Sequence, residues 1–229
     1  MTVQVVQHTS AEYLGLIEDH LEGRSIRFRY CRPFTGKTPL PKPDELDQGL
    51  ILLGGGPWGS GGTRDVPTLK EEIGLAEAAL TRGKPVVGIG LGAQILAIAA
   101  GGKSEPTPLE FSLLRARRTS AQALKGYLPA EYPIALYMRD WPVPPPAAQV
   151  LAEDEKGRPV LWQTGEKALG FAAHPGLKVA MVEDLVMEFE ETPAEVAAGI
   201  AQLRSVQRSI EDALVPLMTG VVSLMAWMR

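Results

Sequence analysis

Three short segments carry the residues best placed to do chemistry. In the first, Gly88-Ile89-Gly90-Leu91-Gly92-Ala93-Gln94, an apolar run containing Val86 and Val87 turns sharply into an apolar helical pattern. Enzymes that form covalent intermediates set a Ser or Cys at the tip of such a strand–turn–helix elbow. Here the tip reads Gly90, a turn without a reacting atom. The second segment, Gly54-Gly55-Gly56-Pro57, directly follows the apolar run GLILL, and its main-chain N–H groups suit an anion. It lacks the Gly-Lys-Ser/Thr ending of a phosphate-binding loop. The third, GFAAHPG, sets His174 just after a strand and before a proline. At the carboxyl ends of parallel strands, such loops converge on one crevice. A helix opening at Leu91 would offer free N–H groups and its positive dipole end to a small carboxylate or oxyanion there. His174 reads either as a structural histidine or as a ligand-contacting acid–base residue. Trp58 reads either as an aromatic wall of the crevice or as a cap on the core.

The elements that must position these segments alternate along the first hundred residues. Strands are expected at 2–7, 25–30, 49–53 and 85–89, the last two being continuous apolar runs of the buried parallel type. Thr9 with Glu12 forms a capping-box pattern opening a helix to about Leu21. Thr68 with Glu71 opens another, which Gly83 ends. Pairing strands with helices in this order predicts a doubly wound, mostly parallel α/β sheet of the flavodoxin-like kind. From about 105 to 173, short alternating segments (EFSLLRARR, YPIALYM, AQVLAED, RPVLWQ, ALGFAA) predict an antiparallel excursion that returns to the main sheet. Thr192, Pro193 and Glu195 start a C-terminal helical extension, about 192–229, with a break expected near Pro216. One domain over 1–229 is the expectation.

Composition bounds the function. A net charge of −4 leaves no basic footprint, so nucleic acid is not an expected partner. The single cysteine, Cys31, excludes an internal disulfide framework, suits a reducing, cytoplasmic setting, and reads as a buried structural thiol. Three scattered histidines (His8, His20, His174) offer no metal-ligand spacing, and neither a metal nor another cofactor is expected. His8 reads as structural, and Arg115, Arg117 and Arg118 as a solvated strand face. No apolar stretch reaches the roughly 18 residues of a membrane span, so no membrane is expected. The apolar tail VPLMTGVVSLMAWMR either packs on its own domain or serves an interface, a homo-oligomer among the options.

These motifs, in this order, resemble the class I glutamine amidotransferases, in particular the free-standing branch similar to the glutaminase part of GMP synthetase. LLGGGP (52–57), GIGLGAQILAIAAGG (88–102) and LGFAAHPG (169–176) match its G-G-P, G-I-C-x-G-[HA]-Q and G-x-Q-F-H-P-E segments. PLEFSLL (108–114), PAAQVLAED (146–154) and the segments after His174 extend the resemblance over essentially the whole chain. It implies a mechanism in which a thiolate attacks the side-chain amide of glutamine. A His, oriented by a Glu two residues on, then moves protons, and main-chain N–H groups hold the oxyanion. By motif, Gly90 stands at the nucleophile position, His174 at the base and Gly176 at the orienting Glu. The oxyanion donors fall on the N–H of Leu91 and of Gly55 or Gly56, and Gln94 is implied at the ligand. Ala172 replaces the glutamine of the third motif, and MRDW (138–141) stands where the family has a His-Gly-Asp-like segment. The thioester route cannot run without the thiol. The resemblance therefore implies a non-catalytic binding, regulatory or scaffolding subunit, with a synthetase or other protein as partner and a small carboxylate or glutamine-like molecule as ligand. The alternatives are an enzyme of altered chemistry using His174 and the crevice, or an inactivated variant of a true amidotransferase.

Overall fold

Alternation within each short strand decides the layering, because successive side chains leave a strand on opposite faces. The computed structural model describes residues 2–228. Its chain order is β1 (Val3–Val6), α1 (Leu16–Glu22), β2 (Phe28–Cys31), β3 (Leu50–Leu52), α2 (Leu69–Thr81), β4 (Val86–Ile89) and α3 (Leu91–Ala99). There follow β5 (Lys103–Glu105), β6 (Glu110–Arg118), β7 (Glu131–Met138), β8 (Trp141–Val143), β9 (Gln149–Glu153), β10 (Pro159–Thr164) and β11 (Ala168–Phe171). The helices α4 (Val179–Glu188) and α5 (Val196–Met225) close the chain.

The main sheet runs β2-β1-β3-β4-β11-β10-β9-β6-β7. From β2 to β11 all pairings are parallel, and from β11 to β7 all are antiparallel. The doubly wound parallel sheet and its antiparallel excursion are thus both present, and β5 and β8 form a separate two-stranded ribbon. Val3, Val5, Ile51, Val87 and Ile89 point into a core shared with α1 and α5. Val6, Leu50, Leu52 and Val86 point the other way, onto α2 and α3. Both faces are covered, which is why these strands read as unbroken apolar runs. The carboxyl ends of β1, β3, β4 and β11 lie along one edge, and the loops leaving them are those that carry Glu12, Gly54–Gly56, Gly90 and His174.

Three expected helix limits are corrected, the first being the start of the tail: α5 begins at Val196 behind a left-handed Glu195 and takes no side-chain cap from Thr192. No helix begins at Thr9, since α1 starts at Leu16. The Thr9 hydroxyl does accept the Glu12 N–H at 3.0 Å, half of a capping box, but the Glu12 side chain turns away to the loop after β3. The chain then bends at Gly15 (φ 60°), and the Leu16 N–H donates to the Gly176 carbonyl at 3.0 Å. Nor does the helical tail break at Pro216, because α5 runs unbroken from Val196 to Met225. Leu214, Leu217 and Met218 are all buried and anchor the turns on either side of the proline. Among the described residues, no helix is long and apolar enough to cross a membrane. Cys31 is buried with a free thiol, which burial pushes up to about 11.

Candidate functional site

The elbow forms as its sequence suggests. Gly90 links β4 to α3 with φ 55° and ψ −115°, and its N–H donates to the Phe171 carbonyl at 2.8 Å. A side chain held in such a conformation costs on the order of 1–3 kcal/mol, which glycine avoids. Space itself is not lacking. A Cβ on Gly90 would lie 3.4 Å from Gly54 Cα and 4.0 Å from Glu12 Oε1. At the start of α3, Gly92 donates to the Leu53 carbonyl at 3.0 Å, while Ala93 and Gln94 donate to that of Gly90 at 3.0 and 3.2 Å. The Leu91 N–H is left as the first-turn donor with no partner among the described residues.

Glu12 is the side chain that faces this turn. It is buried at 2 % exposure, and its Oε2 accepts the Gly56 N–H at 2.8 Å. The carboxyl lies so close over Gly54 that a Cβ there would fall inside it. The bare Cα of Gly54 therefore admits the carboxyl where any other residue would exclude it. Burial raises the Glu12 carboxyl to about 7, against the pull of the Gly56 N–H and the His8 charge, with the Glu188 carboxylate adding to the rise.

Beneath the same loop, the two ring nitrogens of His8 face two acceptors. Nδ1 lies 3.1 Å from the Gly54 carbonyl and Nε2 lies 2.7 Å from Glu72 Oε2. Both nitrogens must then carry protons, making His8 an imidazolium buried against the Glu72 carboxylate. Burial alone would depress His8, but Glu72 and the Gly54 carbonyl together hold it above its ordinary value. Thr68 also donates to Glu72, at 2.5 Å, so the start of α2 serves this network. The expected structural role of His8 agrees with the geometry.

Gln94 and Asp140 fix the rest of the loop. Gln94 accepts from the Ser60 hydroxyl at 2.7 Å and donates to the Arg139 carbonyl at 2.7 Å. Asp140 sits in the left-handed region at φ 61°. It accepts the N–H groups of Ser60, Gly61 and Thr107 at 2.9, 2.7 and 3.2 Å. Gln94 is thus a clamp between β7 and the loop, not a free ligand-facing group. Trp58 lines a 250 Å³ cavity with His8, Phe34 and Thr68, and no residue of the elbow reaches that cavity.

The end of α4 roofs the crevice. A Cβ on Gly56 would meet Leu185 Cδ2 at 2.8 Å and Phe189 Cε2 at 3.2 Å. Glu188 accepts the Ser10 hydroxyl and the Ala11 N–H at 2.8 and 2.9 Å, pinning the turn that carries Glu12. Just beyond, Glu191 pairs with both Arg64 and Arg139.

His174 is not free to act on the elbow. Its Nε2 donates to the Tyr13 carbonyl at 2.7 Å, and its Nδ1 accepts the Gly176 N–H at 3.1 Å. Burial lowers it to about 4, so the ring is neutral and both nitrogens are spent on the main chain. Gly176 is packed against α1, where a Cβ would meet Ile17 Cγ1 at 2.9 Å and Ile17 N at 3.0 Å. The structure therefore brings Gly54–Gly56, Gly90 and Leu91 together and ties His174 and Gly176 to the turn before α1. Sequence reasoning missed Glu12 because its spacing from Thr9 imitates a helix cap. The bare Gly54 beneath it was the available signal.

The class I glutamine amidotransferase family matches residues 26–139, about half of the chain, from β2 through the elbow to Arg139. This is a class I glutamine amidotransferase-like protein. Solved structures agree on the fold over the full length. A glutamine amidotransferase from Methylobacillus flagellatus has 24 % identity and a TM-score of 0.81, with 100 % of this chain and 95 % of that one covered. One from Thermotoga maritima has 22 % identity and a TM-score of 0.80, covering 98 % of each. A Thermoplasma acidophilum protein described as belonging to GMP synthase, as one of its subunits, has 17 % identity and a TM-score of 0.58, covering 91 % of this chain and 98 % of that one. At these identities the likeness is one of fold. No curated protein sequence matches the chain.

Proposed function

We propose that this amidotransferase-like chain hydrolyses no glutamine and works as a binding or regulatory subunit, with an amide-forming synthetase as its partner. The observation that carries this reading is Gly90. The elbow, with the Leu91 N–H beside it, has the frame for holding an acyl intermediate, and the residue at its tip has no side chain to form one. Two further features support it: His174 has both nitrogens engaged by main-chain groups, and the Gly56 N–H is already donated to Glu12. The partner class rests on the fold likeness to the protein described as a synthase subunit.

Purified chain incubated with glutamine is expected to release no ammonia above the buffer rate in a dehydrogenase-coupled assay. Glutamine-dependent release that follows the chain's concentration would overturn the reading. The subunit role is checked in native extract, where a tagged chain should retain an ATP-dependent synthetase. A chain that elutes alone, at the size of a single copy, would refute that role.

A further inference from the structure

We infer that Glu12 is the resident ligand of the elbow's anion cradle, an internal carboxyl group occupying the place that a bound small carboxylate would take. Four observations converge on this. The carboxyl accepts the Gly56 N–H at 2.8 Å and rests on the bare Cα of Gly54. Its Oε1 lies 4.0 Å from where a Cβ on Gly90 would stand, so it faces the tip of the elbow. Its main chain is fixed on the N-terminal side, by Thr9 on its own N–H and by Glu188 of α4 on the preceding two residues. Finally, the Tyr137 hydroxyl is buried without a hydrogen-bond partner. Burial first, and then the charges of Glu12 and Glu191, hold it above its ordinary range.

Gly56 N–H donation, an open first-turn N–H at Leu91 and a positive helix end are what a carboxylate needs. The chain supplies a carboxyl group of its own from the loop after β1, ionised only as pH passes about 7. An outside carboxylate enters only when Glu12 leaves, whether or not the chain serves a synthetase.

Formate, the smallest carboxylate, is the probe. In Glu12→Ala, formate is expected to raise the melting temperature in a saturable way and to shift the Gly56 amide signal in a ¹⁵N–¹H spectrum. The unaltered chain and Glu12→Gln, whose amide oxygen still fills the space, should bind formate at least tenfold more weakly. An equal response in all three proteins, or none in Glu12→Ala, would overturn the inference. Should Glu12→Ala not fold, the unaltered chain decides the matter by hydrogen exchange. The Gly56 amide is expected to exchange at least tenfold more slowly than an unbonded loop amide, and exchange at the unprotected rate would contradict the inference.

Discussion

Glu12→Gln becomes more stable relative to the unaltered chain as pH rises from 4.5 to a unit above 7, gaining about 3 kcal/mol across that interval. The unfolded chain ionises Glu12 near the ordinary 4.5, whereas the folded chain does so at about 7. Between the two values the folded state holds a proton that the unfolded state has lost, so raising the pH favours unfolding. The stabilising contribution is whole below 4.5 and is lost as pH passes 7, and glutamine, which stays neutral, carries no such slope. The groups facing the carboxyl agree with a raised value. Burial outweighs the Gly56 N–H and the His8 imidazolium, and the Glu188 carboxylate adds repulsion. His174 contributes an opposite slope, since it falls to about 4 in the folded chain from its ordinary 6.5 and stability drops as pH falls through that window. That slope is common to both proteins and cancels in their difference. Urea midpoints of the two proteins at several pH values measure the gap, and a gap that does not change with pH contradicts the assignment.

Gly176→Glu, which installs the glutamate that the resemblance implies at this position, destabilises the fold by about 3 kcal/mol and brings no activity. The new Cβ would press on Ile17 Cγ1 and its main-chain nitrogen at 2.9 and 3.0 Å. These belong to the second residue of α1, which the Leu16 N–H docks onto the Gly176 carbonyl. The backbone cannot give way there without undoing that bond and the Gly176 N–H that holds His174. By contrast, Gly90→Cys meets only ordinary contacts, to Gly54 Cα and Glu12 Oε1, and bears mainly the cost of its left-handed backbone, on the order of 1–3 kcal/mol. Urea unfolding should therefore rank Gly176→Glu as the more damaging of the two. Equal stability of Gly176→Glu and the unaltered chain would show that this junction is looser than described.

The fold was legible because its signals are local and repeated. GLILL and PVVGI are apolar on both faces, as strands covered by helices on both sides must be. The Gly90 turn was legible too, because a strand, a bare turn and an apolar helix leave few alternatives. The site's contents were not. Thr9 and Glu12 satisfy a helix-cap spacing, and only the approach of the β3 loop, more than forty residues on, turns Glu12 toward Gly56. His174 sits where its motif suggests, yet its ring is spent on Tyr13 and Gly176, partners that a motif does not specify. Pro216 marks a helix break by its chemistry alone. The buried Leu214, Leu217 and Met218 keep α5 continuous instead.

The place beside Gly90 and Gly54 is already filled by the chain's own carboxyl. A ¹³C-detected titration of the Glu12 side-chain carbon tests it most directly, reported together with the Gly56 amide proton. Both signals are expected to move with a shared midpoint of about 7. A Glu12 midpoint at the ordinary 4.5, with the Gly56 amide indifferent to it, would mean that the carboxyl lies in water and not against the loop.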